Sequence, residues 1–303
     1  MVTKTNFGGY ELYTIENGEL SVSVTTLGAT VTSVRFRGQE CVPSYDSPEG
    51  YLGGTAYLGA AIGRYGNRIA GARFSLNGKE YILPANEGEN QLHGGPDSYD
   101  RRAWTAEVLD DAVRFTLLSP DGDNGFPGNL TAAVTYSVRG GTLRLDFEGD
   151  SDADTVYAPT SHMYFDLSGR ENCLEAELSV KAYRYLEVDG ALIPTEVTPV
   201  AGTRFDFLAM RKIREAYDHC FVLDGETACI LRDGKTQMTL VTDFPALQVY
   251  TGEFLPAPFK AFGAVALEPE AYPDSPNRPD FPSTTLRAGE HYHCWAEYRF
   301  ETV

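Results

Sequence analysis

The sequence is poor in cysteine and in long apolar runs. Its five cysteines are scattered, and none of them forms a C-x-x-C pair. Such a set predicts neither a disulfide framework nor a zinc knuckle, so we expect reduced thiols in a cytoplasmic protein. No run of about 18 apolar residues is present, and the N-terminal residues have no apolar signal-peptide core. We therefore expect neither a membrane span nor secretion.

Positive charge is also scarce. The 303 residues include 25 lysines and arginines against 43 aspartates and glutamates, which gives a formal net charge of −18. A surface of this sign repels nucleic acid and anionic membranes, and it disfavours polyanionic ligands unless a local basic pocket overrides it. We expect no nucleic-acid partner, no membrane partner and a neutral small molecule as ligand.

Helical periodicity is weak, whereas alternation of apolar and polar residues recurs along the chain. It is clear in Leu20–Thr25, and in Leu130–Val138, which Gly140 and Gly141 join to a second alternating run as in a β-hairpin. Short helical turns are expected only after Ser47 and after Asp206. With 30 glycines and 17 prolines as punctuation, the pattern predicts an all-β protein of the sandwich or barrel type. We expect one domain over residues 1–303.

The stretch 265–283 contains the strongest candidate for chemistry. Val265–Leu267 is a short apolar run that indicates the end of a buried strand, and five prolines follow before residue 283. Prolines fix φ and remove backbone donors, so the following segment is expected to be a stiff loop. Glu268 lies at the junction, where partial burial would raise its pKa and make it a usable base. The alternative is that Glu268 only caps the loop.

Two histidines lie in segments that can face a cleft. In Ala158–Leu167, strand alternation places His162 opposite Met163 and Phe165, so His162 faces a cleft or solvent if those two residues belong to the core. His93 precedes two glycines, which would let the backbone approach a ligand closely. Each histidine could equally be a hydrogen-bonded structural residue.

Several polar residues have the chemistry of sugar binding. Asn67 and Arg68 lie in a glycine-rich turn that lacks the lysine and hydroxyl of a phosphate-binding loop, and they can present donors to hydroxyl groups. Asp218 can accept from two hydroxyls. Gln248 and Tyr250 share one face of an alternating strand. Each of these residues also has an ordinary role in a turn or an exposed strand.

A metal site is not expected. His291 and His293 lie on one strand face and could share an ion, but no carboxylate is paired with them by spacing. No nucleotide or cofactor motif is present either.

The order of these segments along the chain resembles the aldose 1-epimerase (galactose mutarotase) family. The resemblance runs from about Gly8 to Phe300. The segments that carry it are Asn67-Arg68, Leu92-His93-Gly94-Gly95, Ser161–Leu167, Tyr217–Phe221, Gln248–Gly252 and Leu267–Pro282. The chain departs from the family's usual residues at Ser161, Glu253, Glu270 and Arg278.

The resemblance implies a large antiparallel β-sandwich and the interconversion of α and β anomers of free aldohexoses. Glu268 then matches the family's base, His162 its acid and His93 its second active-site histidine. The remaining matches are to sugar-binding positions: Asn67, Arg68, Asp218 and Gln248. A monosaccharide is the implied partner, and the protein is expected to be a monomer or a homodimer.

The reaction itself needs one base and one acid at C1, and neither metal nor cofactor. The base would be a glutamate whose pKa is raised by partial burial. The acid would be a histidine kept protonated by nearby carboxylates, for example Asp218.

Three alternatives use the same residues differently. A glycoside hydrolase would pair Glu268 with Asp218 or Glu270. A sugar-phosphate epimerase would hold its phosphate with Arg64, Arg68 and Arg73. A carbohydrate-binding protein would need aromatic platforms but neither a base nor an acid.

Overall fold

Strands supply most of the regular structure in this computed structural model, which describes residues 1–303. There is one α-helix, α1 (Pro48–Gly53), and it begins directly after Ser47, as predicted. Short 3₁₀ turns occupy Ala70–Ala72, Tyr99–Arg101, Asp123–Gly125, Cys173–Glu175 and Ser275–Asn277. None of these helices has the length and apolar character needed to span a lipid bilayer.

The strands are numbered in chain order. The first fourteen are β1 (Val2–Phe7), β2 (Tyr10–Glu16), β3 (Leu20–Thr25), β4 (Thr30–Phe36), β5 (Gln39–Glu40), β6 (Ala61–Ile62), β7 (Arg68–Ile69), β8 (Arg73–Leu76), β9 (Lys79–Ile82), β10 (Gln91–Leu92), β11 (Thr105–Val108), β12 (Ala112–Ser119), β13 (Leu130–Arg139) and β14 (Thr142–Ser151). The others are β15 (Thr155–Val156), β16 (Thr160–Ser161), β17 (Tyr164–Phe165), β18 (Glu177–Val180), β19 (Arg184–Val188), β20 (Pro194–Pro199), β21 (Arg211–Lys212), β22 (Asp218–Val222), β23 (Thr227–Asp233), β24 (Thr236–Thr242), β25 (Ala246–Tyr250), β26 (Val265–Glu270), β27 (Thr285–Leu286) and β28 (His291–Thr302).

Two large antiparallel sheets dominate the architecture. The nine-stranded sheet has the order β11-β12-β13-β14-β28-β24-β23-β18-β21, and the six-stranded sheet has the order β17-β26-β25-β22-β19-β20. A five-stranded sheet, β1 to β5, precedes them. The predicted hairpin is confirmed, because β13 and β14 pair in register from Leu130 opposite Ser151 to Arg139 opposite Thr142.

The main core of 55 buried residues draws side chains from both large sheets. Phe165 on β17 packs on Tyr298 of β28 with 5.2 Å between ring centroids, which joins the two sheets directly. The predicted all-β class, with few short helices, is confirmed. The single domain over residues 1–303 stays a prediction.

The expectation that β26 ends at Leu267 is wrong. The strand does not end before Glu268 but continues through Pro269 to Glu270, paired with β25. Leu267 N donates to Met163 O at 3.1 Å, so the nitrogen of Pro269, two residues on, points to the same side. β17 pairs only with Val265 and Ala266, so no ladder bond is required of Pro269 there. The strand therefore tolerates the proline and carries Glu268 into the sheet.

The second predicted helical turn, after Asp206, is absent. Arg211 and Lys212 form β21, which pairs with β18 at the edge of the nine-stranded sheet. Arg211 Nε donates to Asp206 O at 2.8 Å, so the side chain bonds to the loop backbone. Edge pairing therefore takes the place of a helical turn in this segment.

Candidate active site

A cavity of about 300 Å³ opens at the six-stranded sheet and gathers side chains that are far apart in sequence. It brings together every site residue predicted from the sequence, namely Asn67, Arg68, His93, His162, Asp218, Gln248, Tyr250 and Glu268. The other lining residues are Thr55, Ala56, Tyr57, Glu87, Leu92, Tyr164, Leu192 and Phe254. The roles predicted for these residues stay predictions, but their proximity is a feature of the fold.

Strand register explains why the polar residues converge. Gln248 lies opposite Glu268, and Tyr250 lies opposite Asp218, across β26, β25 and β22. Directly paired residues project from the same face of a sheet, so all four side chains face the cavity. Leu247 and Val249 point the other way and belong to the core, as their alternation predicts.

Glu268 is a buried carboxylate with no cation in contact. Its side chain is only 3% exposed, and its Oε2 has no hydrogen-bond partner. Burial, followed by the nearby negative charges of Glu270 and Asp218, raises the pKa of Glu268 well above that of an ordinary glutamate. The burial is more complete than the sequence indicated, because β26 carries the residue into the sheet.

His162 lies next to that carboxylate. Its Nε2 lies 3.5 Å from Glu268 Oε2, and its ring lies nearly parallel to those of Tyr57 and Tyr164. Its backbone is fixed between strands, with N donating to Ala60 O at 3.0 Å. Met163 belongs to the core on the other face, so the predicted orientation of His162 is confirmed.

The expectation that His162 is kept protonated by carboxylates is wrong for the free protein. Burial lowers the pKa of His162 to about 3, so its ring is neutral there. Desolvation therefore outweighs the nearby carboxylates. The same burial that raises the proton affinity of Glu268 thus reduces that of His162.

His93 is fixed in one tautomer by the backbone. Asn67 N–H donates to His93 Nδ1 at 3.0 Å, so the ring proton of the neutral imidazole is on Nε2. Burial, with the nearby positive charge of Arg68, lowers the pKa of His93 well below its usual value. His93 is consequently a neutral hydrogen-bond donor at the cavity wall.

The glycine that follows His93 serves the protein rather than the ligand. Gly94 has φ of +84°, and a Cβ placed there would lie 2.0 Å from Gly63 O. The expected close approach is therefore between two loop backbones. It fixes the loop that presents His93 and Asn67 to each other.

Arg68 lines the cavity in a bidentate ion pair that sequence reasoning missed. Its Nε and Nη2 donate to the two oxygens of Glu87 at 2.7 and 2.8 Å, and Nη1 lies 3.4 Å from Asn67 Oδ1. Two of its five N–H groups remain for a ligand. Asn67 donates its side-chain amide to Glu270 Oε1 at 3.0 Å, so it links Arg68 to that buried carboxylate.

Asp218, Gln248 and Tyr250 form the polar wall next to Glu268. Gln248 donates its amide to Asp218 Oδ1, and Tyr250 Oη accepts from Phe254 N at 2.8 Å. Burial raises the pKa of Asp218, and Arg68 and Gln248 only partly oppose this. The second oxygen of Asp218 and the hydroxyl proton of Tyr250 are available to a ligand.

The residues His93, His162 and Glu268 place one potential metal-ligand atom each within 4.8 Å of one another. The tautomer of His93 argues against a metal there. For Nε2 to bind an ion, its proton would have to move to Nδ1, which already faces the Asn67 N–H. The set fits proton transfer better than coordination.

Two further histidines lie on one face of β28 and could have shared a metal ion. The structure pairs each with a carboxylate that spacing did not indicate, because β14 lies beside β28. His291 Nδ1 lies 2.9 Å from Asp150 Oδ1, and His293 Nε2 lies 3.0 Å from Asp146 Oδ1. These exposed pairs lie outside the cavity.

The three arginines considered for a phosphate do not form a basic pocket. Arg64 is fully buried and donates to backbone carbonyls, including Pro127 O at 2.7 Å. Arg73 is exposed and does not line the cavity. Arg68 alone reaches it, already paired with Glu87.

Tyr57, Tyr164 and Glu87 also line the cavity but were not predicted as site residues. Tyr164 had a usable signal, since alternation places it on the same face as His162. Tyr57 and Glu87 lie in irregular loops, where no periodicity exists to indicate direction.

Comparisons with known proteins agree with this geometry. A family model described as aldose 1-epimerase matches residues 11–299. The chain belongs to the aldose 1-epimerase family. It is 36% identical to galactose mutarotase of Mus musculus, with 100% of this chain and 99% of that protein aligned. It is 37% identical to aldose 1-epimerase of Escherichia coli K12, over 96% of this chain and 95% of that protein.

Solved structures of aldose 1-epimerase relatives share the architecture. An aldose epimerase homologue from C. elegans has a TM-score of 0.94 at 27% identity, covering 97% of this chain and 99% of that one. A galactose 1-epimerase from Lactobacillus acidophilus has a TM-score of 0.89 at 27% identity, covering 100% and 98%. The family and the fold implied by the sequence resemblance are confirmed.

Proposed function

We propose that the protein interconverts the α and β anomers of a free aldohexose, with Glu268 and His162 as the proton-transferring pair. The observation that carries this proposal is the placement of the pair. The two groups are buried, lie 3.5 Å apart and face a cavity lined by hydrogen-bonding side chains. No cation contacts Glu268, so its lone pairs are free to accept a proton.

Ring opening requires two proton transfers. Glu268 takes the proton of the anomeric hydroxyl, the C1–O5 bond breaks as C1=O1 forms, and O5 takes a proton from His162. The open-chain aldehyde rotates about C1–C2. The transfers then run in reverse onto the other face of C1, which gives the opposite anomer and restores both groups.

The pair needs one proton in total throughout this cycle. In the free protein the proton is on Glu268, because burial favours the neutral forms of both groups. Opening a closed sugar starts from the tautomer in which that proton is on His162, and opening returns it to Glu268. The pH profile of kcat/KM should therefore be bell-shaped, with limbs that belong to the pair. The proton is lost at high pH, and a second is bound at low pH.

The other polar groups are assigned to binding. Asp218, Gln248 and Tyr250 face sugar hydroxyls, and Arg68 offers its two remaining N–H groups. His93 donates from Nε2 as a neutral group, which suits a sugar oxygen that gains negative charge. Asn67 has its side-chain atoms engaged by Arg68 and Glu270, so we assign it to positioning.

Two alternatives have less support. In a glycoside hydrolase, Glu268 could act with Asp218, which lines the cavity, but not with Glu270, which does not; either pairing would leave His162 without a role. A sugar phosphate would meet one arginine that is already neutralised by Glu87.

We also propose a cytoplasmic location, since all five cysteines are free thiols, and a monomer or homodimer as the assembly.

Proton NMR of freshly dissolved α-galactose and α-glucose tests the function. The expected result is anomer exchange faster than in buffer and unchanged by a metal chelator. No acceleration with either sugar would contradict the proposal. Loss of activity in chelator, restored by a divalent ion, would contradict the metal-free mechanism.

A further inference from the structure

A second buried carboxylate lies directly behind the proposed base. Glu268 and Glu270 are two residues apart on β26, so their side chains leave the same face of the sheet. Glu270 is 1% exposed and does not line the cavity, so it cannot touch a bound sugar. Each carboxyl group has an Oε2 that is buried without a hydrogen-bond partner.

The surroundings of Glu270 give little help to a negative charge. Its one side-chain hydrogen bond comes from Asn67 Nδ2 at 3.0 Å. Ala246 lies opposite it in the sheet, with Val222 beyond, and both belong to a small apolar cluster. No lysine or arginine forms an ion pair with either glutamate. Two adjacent charges in such a place repel strongly, so the carboxyl groups must ionise one after the other.

We propose that Glu270 is a positioning residue that ionises before Glu268. Its negative charge then favours retention, on Glu268, of the proton that the reaction transfers. The proposal rests on the proposed function. It adds a residue that never contacts the sugar but sets the strength of the base.

The order of ionisation follows from the contacts. The amide of Asn67 donates to Oε1 of Glu270 and so stabilises its ionised form, whereas neither oxygen of Glu268 accepts a hydrogen bond. Asp218 and Arg68 act on both glutamates, so neither decides the order. After burial, the charge of Glu270 is the largest influence that raises the pKa of Glu268.

Several other titratable groups surround Glu268 and Glu270. From the strands and loops packed against them they are Asp218, Cys220, Arg68, Glu87, His93, His162, Tyr65, Tyr164, Tyr250 and Tyr298. Burial keeps both histidines neutral, and it keeps the Cys220 thiol and the four tyrosine phenols protonated. Glu87 is paired with Arg68. Asp218 acts on both glutamates, so the charge that distinguishes Glu268 from its neighbour is that of Glu270.

Glu270→Gln separates this role from a structural one. Glutamine keeps the shape and can accept the same Asn67 hydrogen bond, but it carries no charge. The alkaline limb of the kcat/KM profile for anomer exchange should move to lower pH by about one unit or more. Glu107→Gln, an exposed change on β11, is the matched control and should leave the profile unchanged. A folded Glu270→Gln with an unmoved alkaline limb, or one moved upward, would overturn the proposal.

A titration without substrate distinguishes failure of this proposal from failure of the proposed function. In wild type labelled with ¹³C at glutamate side-chain carboxyls, NMR should resolve a high-pH step for Glu268. That step should move to lower pH in Glu270→Gln. Its persistence at the same pH would overturn the proposal, whatever the activity. If the step moves but wild type does not accelerate anomer exchange, the interaction stands and the proposed function fails.

Discussion

Both large sheets carry partly or fully buried carboxyl groups, but the pKa values of these groups are shifted in opposite directions in the two sheets. On the nine-stranded sheet, Arg144 binds Asp146 in a bidentate pair at 2.7 and 2.9 Å and reaches Glu297 at 2.9 Å. Burial alone would raise the pKa values of Asp146 and Glu297. The contacts with Arg144, together with that of His293 to Asp146 and that of Arg299 to Glu297, lower both pKa values instead. On the six-stranded sheet, Glu268 and Glu270 have no such partner, and their pKa values rise.

The difference shows which feature makes a carboxylate useful as a base. A cation in contact stabilises the charged form and weakens its attraction for a proton. Burial without a cation does the reverse. The fold supplies this second condition only by placing Glu268 deep in β26, so the proposed activity depends on the absence of a partner as much as on the residue itself.

The largest expected effect contrasts one glutamate from each sheet. Glu268→Gln keeps the shape but cannot accept a proton, so kcat should fall by about 10²–10⁴-fold. Glu297→Gln makes the same chemical change beside Arg144 and should leave kcat unchanged. Polarimetry of galactose anomerisation with folded variants measures both. Near-normal turnover by Glu268→Gln would mean that the base lies elsewhere.

A histidine from each sheet gives the next comparison. His162→Asn removes the proton donor to O5, and kcat should fall by about 10²-fold or more. The control is His293→Asn, which breaks a 3.0 Å contact with Asp146 on the exposed face and should leave anomer exchange at the wild-type rate. Equal losses in the two variants would contradict the specific role of His162.

A smaller effect is expected for a binding carboxylate. Asp218→Ala should lose hydrogen bonds to sugar hydroxyls worth about 1–3 kcal/mol, which raises KM more than it lowers kcat. Asp150→Ala, an exposed aspartate on β14, is the control and should change neither constant. If Asp218→Asn abolished kcat at unchanged KM, Asp218 would be part of the chemistry.

The smallest effects concern stability, and they should have opposite signs in the two sheets. A raised folded-state pKa gives stability that is complete at low pH and is lost as pH rises through that value, so Glu268→Gln should stabilise the protein at alkaline pH. A lowered pKa gives stability that is present at neutral pH and lost on acidification. Glu297→Gln should therefore destabilise neutral protein, by at most about 1 kcal/mol.

Urea unfolding of both variants across pH measures this difference. The gain in Glu268→Gln should shrink as pH falls, because the wild-type carboxyl then regains its proton. A loss of stability in Glu268→Gln at alkaline pH would show that its carboxylate is stabilised in a way the structure does not contain.

The alternation of residues indicated much of the fold and the direction of several site residues. Gln248, Tyr250 and His162 face the cavity because period-two patterning assigns a face to each strand residue. The resemblance to a family supplied the grouping of distant segments, which periodicity cannot provide. The sequence does not indicate how deeply Glu268 is buried. A strand can continue through Pro269 only where no neighbouring strand needs a hydrogen bond from that residue, and the sequence does not show this pairing.

Other features depend on contacts between segments that are remote in sequence. The Arg68–Glu87 pair joins a turn to an irregular loop, and the Asn67–Glu270 bond joins that turn to β26. The neutral state of His162 follows from burial among Tyr57 and Tyr164, so the nearby carboxylates that were expected to keep it protonated do not decide its charge. Such properties require the tertiary structure.

The central claim is that Glu268, lacking a cation, keeps its proton in the free protein near neutral pH. Infrared difference spectroscopy of wild type against Glu268→Gln, without sugar, tests it directly. We expect a protonated carboxyl C=O band in wild type that disappears in the variant. A difference spectrum containing only ionised carboxylate bands would contradict it.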